Sequence, residues 1–368
     1  MRILRLAILA ALALTADGCT ASPAMRKIQI SADHKGFVLT PGGKPWRAWG
    51  VNYDHDRDGR LIEDYWNAEW KTVQEDFAEI RQLGANVVRI HPQFNRFMRS
   101  PTEPDPAAID KLGGLLKLAE RNGLYLDITG LGVFHKKDTP AWYDALDERG
   151  RWEAQANFWQ AVARKCAGSP AVFCYDLMNE PVAPVGKAKE INWTPGKPLG
   201  DSYFVQMISL DQAGRERHEI ARQWIRHLTA AIREVDKQTL ITVGLVDWSL
   251  DIPTRLRSGF VPDKIADELD FICVHLYPKS KELKDDLQTL RGFNGGKPVI
   301  VEETFVLSCS AAELERFMLD AEQQDLTQGW IGFYWGARPD ELRGARDIGK
   351  AILLSWLELL QRRAASFK

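Results

Sequence analysis

Short apolar runs and amphipathic stretches alternate along most of the chain. The runs are Arg47 to Asn52, Asn86 to Ile90, Leu124 to Ile128, Val172 to Met178, Leu240 to Leu245, Phe271 to His275, Val299 to Val301 and Trp330 to Tyr334. Their length and β-branched content predict strands. Between them, Trp70 to Leu83 places Trp70, Val73, Phe77, Ile80 and Leu83 at steps of three or four, which predicts a helix with one buried face. Ala107 to Asn122, Trp152 to Lys165, Asp211 to Val235, Ala311 to Gln323 and Ala345 to Gln361 read the same way. Gly84 and Gly123 stand where a left-handed C-cap belongs. Strand followed by helix implies parallel neighbours, because a parallel pair needs a crossover. Eight such units predict a closed (β/α)8 TIM barrel, with an open doubly wound sheet as the rival. Ahead of it, Phe37-Val38-Leu39, a turn at Pro41-Gly42-Gly43 and Trp46 predict an entry hairpin.

The composition fits a large folded core: 368 residues, 45% hydrophobic and 27% charged. Lysine and arginine total 48 against 50 acidic residues, so no global basic field exists to gather nucleic acid. No GxGxxG follows the first strand and no P-loop occurs, which removes the usual nucleotide signatures. With no linker-like stretch or repeat, residues 25–368 read as one catalytic domain, expected to be a monomer. Residues 1–24 read as a signal peptide: Arg2 and Arg5, an apolar run from Leu6 to Leu14 too short to span a bilayer, then small residues. Cys19 resembles a lipoprotein cleavage site, although Ala16 stands where Leu is usual. The expectation is export, to the periplasm, an outer-membrane anchor through Cys19 or the medium. Of the other cysteines, Cys174 and Cys273 sit in strand-like runs as small buried thiols. A Cys166–Cys174 disulfide is the alternative an exported chain allows. No cluster has metal-ligand spacing, so no metal or cofactor is expected.

Barrel enzymes carry their chemistry at the C-terminal ends of strands. The fourth strand ends Asn179-Glu180-Pro181, and the seventh reads Pro298-Val299-Ile300-Val301-Glu302-Glu303. Two carboxyl groups facing each other across a barrel mouth are what glycosidic cleavage needs, one to protonate the leaving oxygen and one to attack the anomeric carbon or activate water. The plain alternative is a loop cap and surface ion pairs.

Asn179-Glu180-Pro181 together with a Glu after Pro-Val-Ile-Val resembles the retaining glycoside hydrolases of clan A, family 5, the cellulase/mannanase type. The resemblance spans Trp46 to about Trp335. It implies Glu180 as acid/base and Glu303 as nucleophile, because relatives place the nucleophile five residues after the proline. Strand alternation then sends Glu302 to the opposite side, toward the helices or a salt bridge. Arg89, closing an apolar strand, matches the arginine that hydrogen-bonds the nucleophile and keeps it ionised. His275 and Tyr277 resemble the family's His-x-Tyr, with Tyr on the nucleophile and His on the acid/base or the sugar. Asn179 resembles the asparagine that binds the sugar 2-hydroxyl, and Trp335 the tryptophan that floors the sugar subsite.

Three departures touch the sugar-binding wall. Strand three ends Ile128-Thr129-Gly130 without the usual histidine, His135 coming later; strand one reads Asn52-Tyr53-Asp54-His55; and Thr304-Phe305 follows the nucleophile. Trp66, Trp142, Trp193 and Trp248 are further candidate sugar platforms, whereas Trp70, Trp159, Trp224 and Trp356 have helical core spacing. The segment from Pro181 to Tyr203 overhangs the active face and could block one end of a cleft. The function expected is hydrolysis of β-linked oligo- or polysaccharides of mannan or β-1,4-glucan type. The rivals are a carbohydrate-binding pseudoenzyme of the same fold and a barrel lyase or isomerase of sugar phosphates, for which no phosphate loop is present.

Overall fold

The computed structural model describes residues 24–187, 192–198, 201–251, 257–344 and 346–368. The leader and Cys19 lie outside these residues. Eight strands close a parallel barrel: β1 (Ala48–Tyr53), β2 (Val87–Ile90), β3 (Tyr125–Thr129), β4 (Val172–Asn179), β5 (Leu240–Val246), β6 (Ile272–His275), β7 (Val299–Thr304) and β8 (Gly329–Gly332). Each predicted apolar run is one of them. A helix follows every strand: α1 (Trp70–Gln82), α2 (Pro106–Asn122), α3 (Glu148–Cys166), α4 (Arg217–Val235), α5 (Pro262–Ile265), α6 (Leu283–Gly292), α7 (Ala311–Gln323) and α8 (Ile348–Arg363).

Local chemistry sets these boundaries. Asp105 accepts from the amides of Ala107 and Ala108 to start α2, Pro106 is preset for its first turn, and Gly123 ends it at φ +62°. Ser310 and Glu313 form a reciprocal capping box on α7. α4 begins at Arg217 and not at Asp211, because Ala213 and Gly214 both turn through the left-handed region. α5 and α6 escaped the sequence pattern: one is a single turn, and the other carries little apolar surface.

The entry hairpin gains a third strand. Lys27–Ile30 pairs antiparallel with Phe37–Thr40, which pairs with Lys44–Trp46. Ile28, Phe37 and Trp46 plug the lower end of the barrel against Ala48, Val87, Tyr125, Cys174, Leu240, Cys273, Ile300 and Ile331. Phe37 meets Trp46, Phe173 and Phe271 edge-on at 5.2 to 5.9 Å, contacts worth about 0.5–1.5 kcal/mol each beyond their burial. The four cysteines among the described residues are free, so Cys166 and Cys174 are not bridged.

Side chains alternate along a strand, so the residue two positions beyond each plug contact also points inward. Besides Gly50 and the half-buried Phe333, those residues are Arg89, Asp127, Asp176, Thr242, His275 and Glu302, all six buried. An apolar lower layer is thus followed by a charged one, immediately beneath the barrel mouth.

Candidate active site

Arg89, from β2, is the hub. Its Nη1 donates to Glu303 Oε1 at 2.6 Å and to Asn52 at 2.9 Å; its Nη2 donates to Asp176 at 2.8 Å and to Asn179 at 3.0 Å. Burial opposes its charge, but Glu302, Asp176 and Glu303 hold the guanidinium ionised well beyond its usual range. Asp176 is itself tied to the Gly244 amide at 2.7 Å and the Thr129 hydroxyl at 2.8 Å. Gly244 leaves the room for this meeting: a Cβ there would lie 2.9 Å from His275 Nε2, 3.1 Å from Arg89 Nη2 and 3.2 Å from Asp176 Oδ2.

Glu303 receives a second hydrogen bond from the Tyr277 hydroxyl at 2.6 Å. Burial pushes its pKa up, while His275 and Arg89 pull it back. Glu180 stands opposite, half-buried, with Oε1 2.9 Å from His275 Nδ1, which is also 3.5 Å from Glu303. Carboxylate oxygens of Glu180 and Glu303 lie within 4.8 Å of each other. Burial disfavours the imidazolium of His275, yet Glu303, Glu180 and Glu302 raise its pKa to about 10. Glu180, His275 and Glu303 are also the single group of metal-type donors among the described residues. With His275 between the two carboxylates, the three groups also form one cluster through which a proton can be shared.

Six of the seven residues singled out in the sequence therefore meet: Glu180, Glu303, Arg89, Asn179, His275 and Tyr277. Trp335 does not join them. It is 2% exposed, packed in the core, and it borders a separate pocket beside Asp76 on α1. The strand ends at Gly332, so inward alternation from Ile331 reaches Phe333 and goes no further.

Glu302 makes the salt bridge given as one of its two expected places, but on the other side of the sheet. It points into the barrel, not toward the helices, because it is two residues beyond the inward Ile300. Its neighbour Glu303 reaches the mouth through a slip in register: Val274 pairs with Val301, but His275 pairs with Glu303. The slip lets two consecutive glutamates serve the same side. Glu302 is fully buried, 3.5 Å from both Arg89 Nη2 and His275 Nε2.

An open groove of about 780 Å³ runs along the mouth beside these groups. Phe333, Tyr334, Phe134 and Phe204 supply its aromatic surface, and Asp54, His55, Arg60, His135, Lys137 and Asp201 much of its charge. His55 stacks on Tyr334 at 4.2 Å and holds Asp54 at 2.9 Å. Phe204 is anchored beside the carboxylates, since its carbonyl accepts from Asn179 Nδ2 at 3.1 Å. No tryptophan lines the groove among the described residues: Trp66 and Trp193 are buried, and Trp142 packs on Phe94. Trp159, Trp224 and Trp356 are core, as their spacing predicts.

No curated protein matches the chain by sequence. Solved structures similar to it include the exo-β-1,4-mannosidase Op5Man5 from Opitutaceae bacterium strain TAV5, at TM-score 0.62 and 17% identity over 93% of this chain. The match spans 62% of that longer protein. A GH5_18 protein from Bifidobacterium longum subsp. infantis matches at TM-score 0.63 and 17% identity, over 88% of this chain and 79% of its own. The endo-1,4-β-mannanase of Rhizomucor miehei matches at TM-score 0.58 and 16% identity, over 92% and 99%. These likenesses are of fold. Residues 44–337 match the family model described as Cellulase (glycosyl hydrolase family 5), and the chain belongs to that family.

Proposed function

We propose that the protein is a retaining glycoside hydrolase that cleaves β-linked glycans by double displacement. Glu303 attacks the anomeric carbon while Glu180 gives its proton to the departing oxygen. Glu180 then takes a proton from water, which attacks the glycosyl–Glu303 ester and releases the sugar with its β configuration kept. Arg89 and Tyr277 orient the two oxygens of Glu303, and Asn179 offers its amide toward the 2-hydroxyl.

The observation that carries this reading is that Glu180 and Glu303 face each other across His275, with a carboxylate oxygen of one within 4.8 Å of an oxygen of the other. Such a close pair fits retention, for which the carboxyl groups stand about 5–5.5 Å apart, and the stereochemistry of the product tests it. The mannosidase and mannanases among the structural neighbours favour β-mannoside substrates, with β-1,4-glucan next. With Phe333 and Tyr334 as the apolar platform, Trp335 has no part in sugar binding. The leader from Arg2 to Cys19 supports work outside the cytoplasm.

The test is sugar release from β-mannans, β-glucans and xylans by wild type, Glu303→Ala and Glu180→Ala, followed for the variants by cleavage of the matching dinitrophenyl β-glycosides, whose leaving group needs no proton, with and without azide. Azide should rescue Glu180→Ala as the β-glycosyl azide and Glu303→Ala as the α-glycosyl azide. An active Glu303→Ala without azide, or a product of inverted configuration from wild type, overturns the mechanism. Glycan binding without any release by wild type would favour the non-catalytic alternative.

A further inference from the structure

Glu302 has no place in the double displacement, yet it is a charged group sealed inside the barrel. A buried carboxylate costs several kcal/mol unless it is paired, so its surroundings must answer for it. Its Oε2 is 3.5 Å from Arg89 Nη2 and 3.5 Å from His275 Nε2, and no hydrogen-bond partner reaches that imidazole nitrogen more closely. Those two cations are the ones that hold the reacting carboxylates, Arg89 on Glu303 and His275 on Glu180.

Resting on the glycosidase reading above, we propose that Glu302 is a positioning residue: as the buried counter-ion common to Arg89 and His275, it keeps both cations charged and aimed at Glu303 and Glu180. His275 then hydrogen-bonds Glu180 through Nδ1–H, while Nε2 faces Glu302 at ion-pair distance, neither of those two groups having a hydrogen-bond partner there. The remaining charges around it fit. Arg89 on β2 and His91 just beyond it, Glu180 just after β4 and Glu303 on β7 are the other titratable groups around it among the described residues, with Tyr277 two positions further along the chain and Gly244 of β5 leaving the room beside Nε2. Asp127, on β3, adjoins Glu302, and its burial and the nearby Glu302 charge push its pKa up. Glu302, though buried, is held below the usual carboxylate range by Arg89 and His275.

The test is Glu302→Gln, which removes the charge and keeps the shape. The expected result is that the alkaline limb of the kcat/KM–pH profile moves at least one unit toward acid, kcat at pH 8 falls at least tenfold, and KM stays within about twofold. Glu302→Asp, which keeps the charge, should hold the limb near its wild-type position, and Asp127→Asn, which takes no ion-pair partner from Arg89 or His275, should not move it. An unmoved limb in Glu302→Gln, or one moved by Asp127→Asn instead, overturns the proposal. Titration of His275 by NMR, in wild type and Glu302→Gln, needs no turnover. A fall of at least one unit supports the counter-ion role even if no glycan is cleaved, a result that would sink the glycosidase reading alone.

Discussion

Arg89 crosses the barrel from β2 to place Nη1 2.6 Å from Oε1 of Glu303 on β7. One guanidinium thereby joins three buried acids, Glu303, Asp176 and Glu302. Removing it would leave all three without their shared cation. Breaking a buried ion pair typically costs about 3–5 kcal/mol, and Arg89→Ala is expected to lose at least that much in urea unfolding. Arg89→Lys keeps the charge but not the fork of donors. It should recover part of the stability while kcat/KM stays at least a hundredfold below wild type. A fully active lysine variant would show that charge alone suffices.

Gly244 gives a second test of how tightly the cluster is packed. A methyl group there would press on His275, Arg89 and Asp176 together, at 2.9 to 3.2 Å. Overpacking of this kind costs about 1–3 kcal/mol, and an ångström of displacement at reacting groups can cost about a hundredfold in rate. Gly244→Ala should therefore fold, lose about a hundredfold in kcat and change KM little. Unchanged kcat would mean that the cluster tolerates movement.

The two aromatic candidates after β8 separate cleanly. Phe333→Ala should raise KM several-fold with little change in melting temperature, because Phe333 faces the groove. Trp335→Phe should do the reverse, losing about 1 kcal/mol of stability because a smaller ring replaces a buried indole, and leaving KM alone. Paired kinetics and thermal unfolding of the two variants decide the matter, and a raised KM in Trp335→Phe would restore it to the sugar site.

The contrast explains what could be read in advance. Arg89, Glu180, Glu303 and His275 were legible because a charged group at the end of an apolar strand has few structural reasons to be there. The eight strands were legible because buried parallel strands are continuous apolar runs. Glu302 was placed outside because strict alternation turns the neighbour of an inward Glu303 away, and Trp335 was placed at the sugar by resemblance alone. The slip between β6 and β7 turns Glu303 toward the mouth without turning Glu302 away, and the end of β8 at Gly332 stops the count before Trp335. Counting upward from Ile300 would have put Glu302 inside. Nothing in the local sequence announces the slip itself, which is a property of the pairing of two strands.

Glu63 offers a test of folding electrostatics away from the reacting carboxylates. It is buried, with Oε1 accepting from the Gln93 amide at 2.8 Å and Oε2 without a partner. Burial raises its pKa to about 7 from an ordinary 4.5. Between these values the folded chain keeps a proton that the unfolded chain gives up, so stability falls as pH rises and the loss is complete above pH 7. At about 1.36 kcal/mol per unit the full effect is on the order of 3 kcal/mol. Glu63→Gln cannot ionise, so its stability relative to wild type should improve by about that much between pH 4 and pH 8. The readout is the change in that difference, measured by urea unfolding at both pH values, because a constant offset from the new amide cancels. A difference that stays flat across the range would mean that Glu63 ionises as readily in the folded protein as in the unfolded chain.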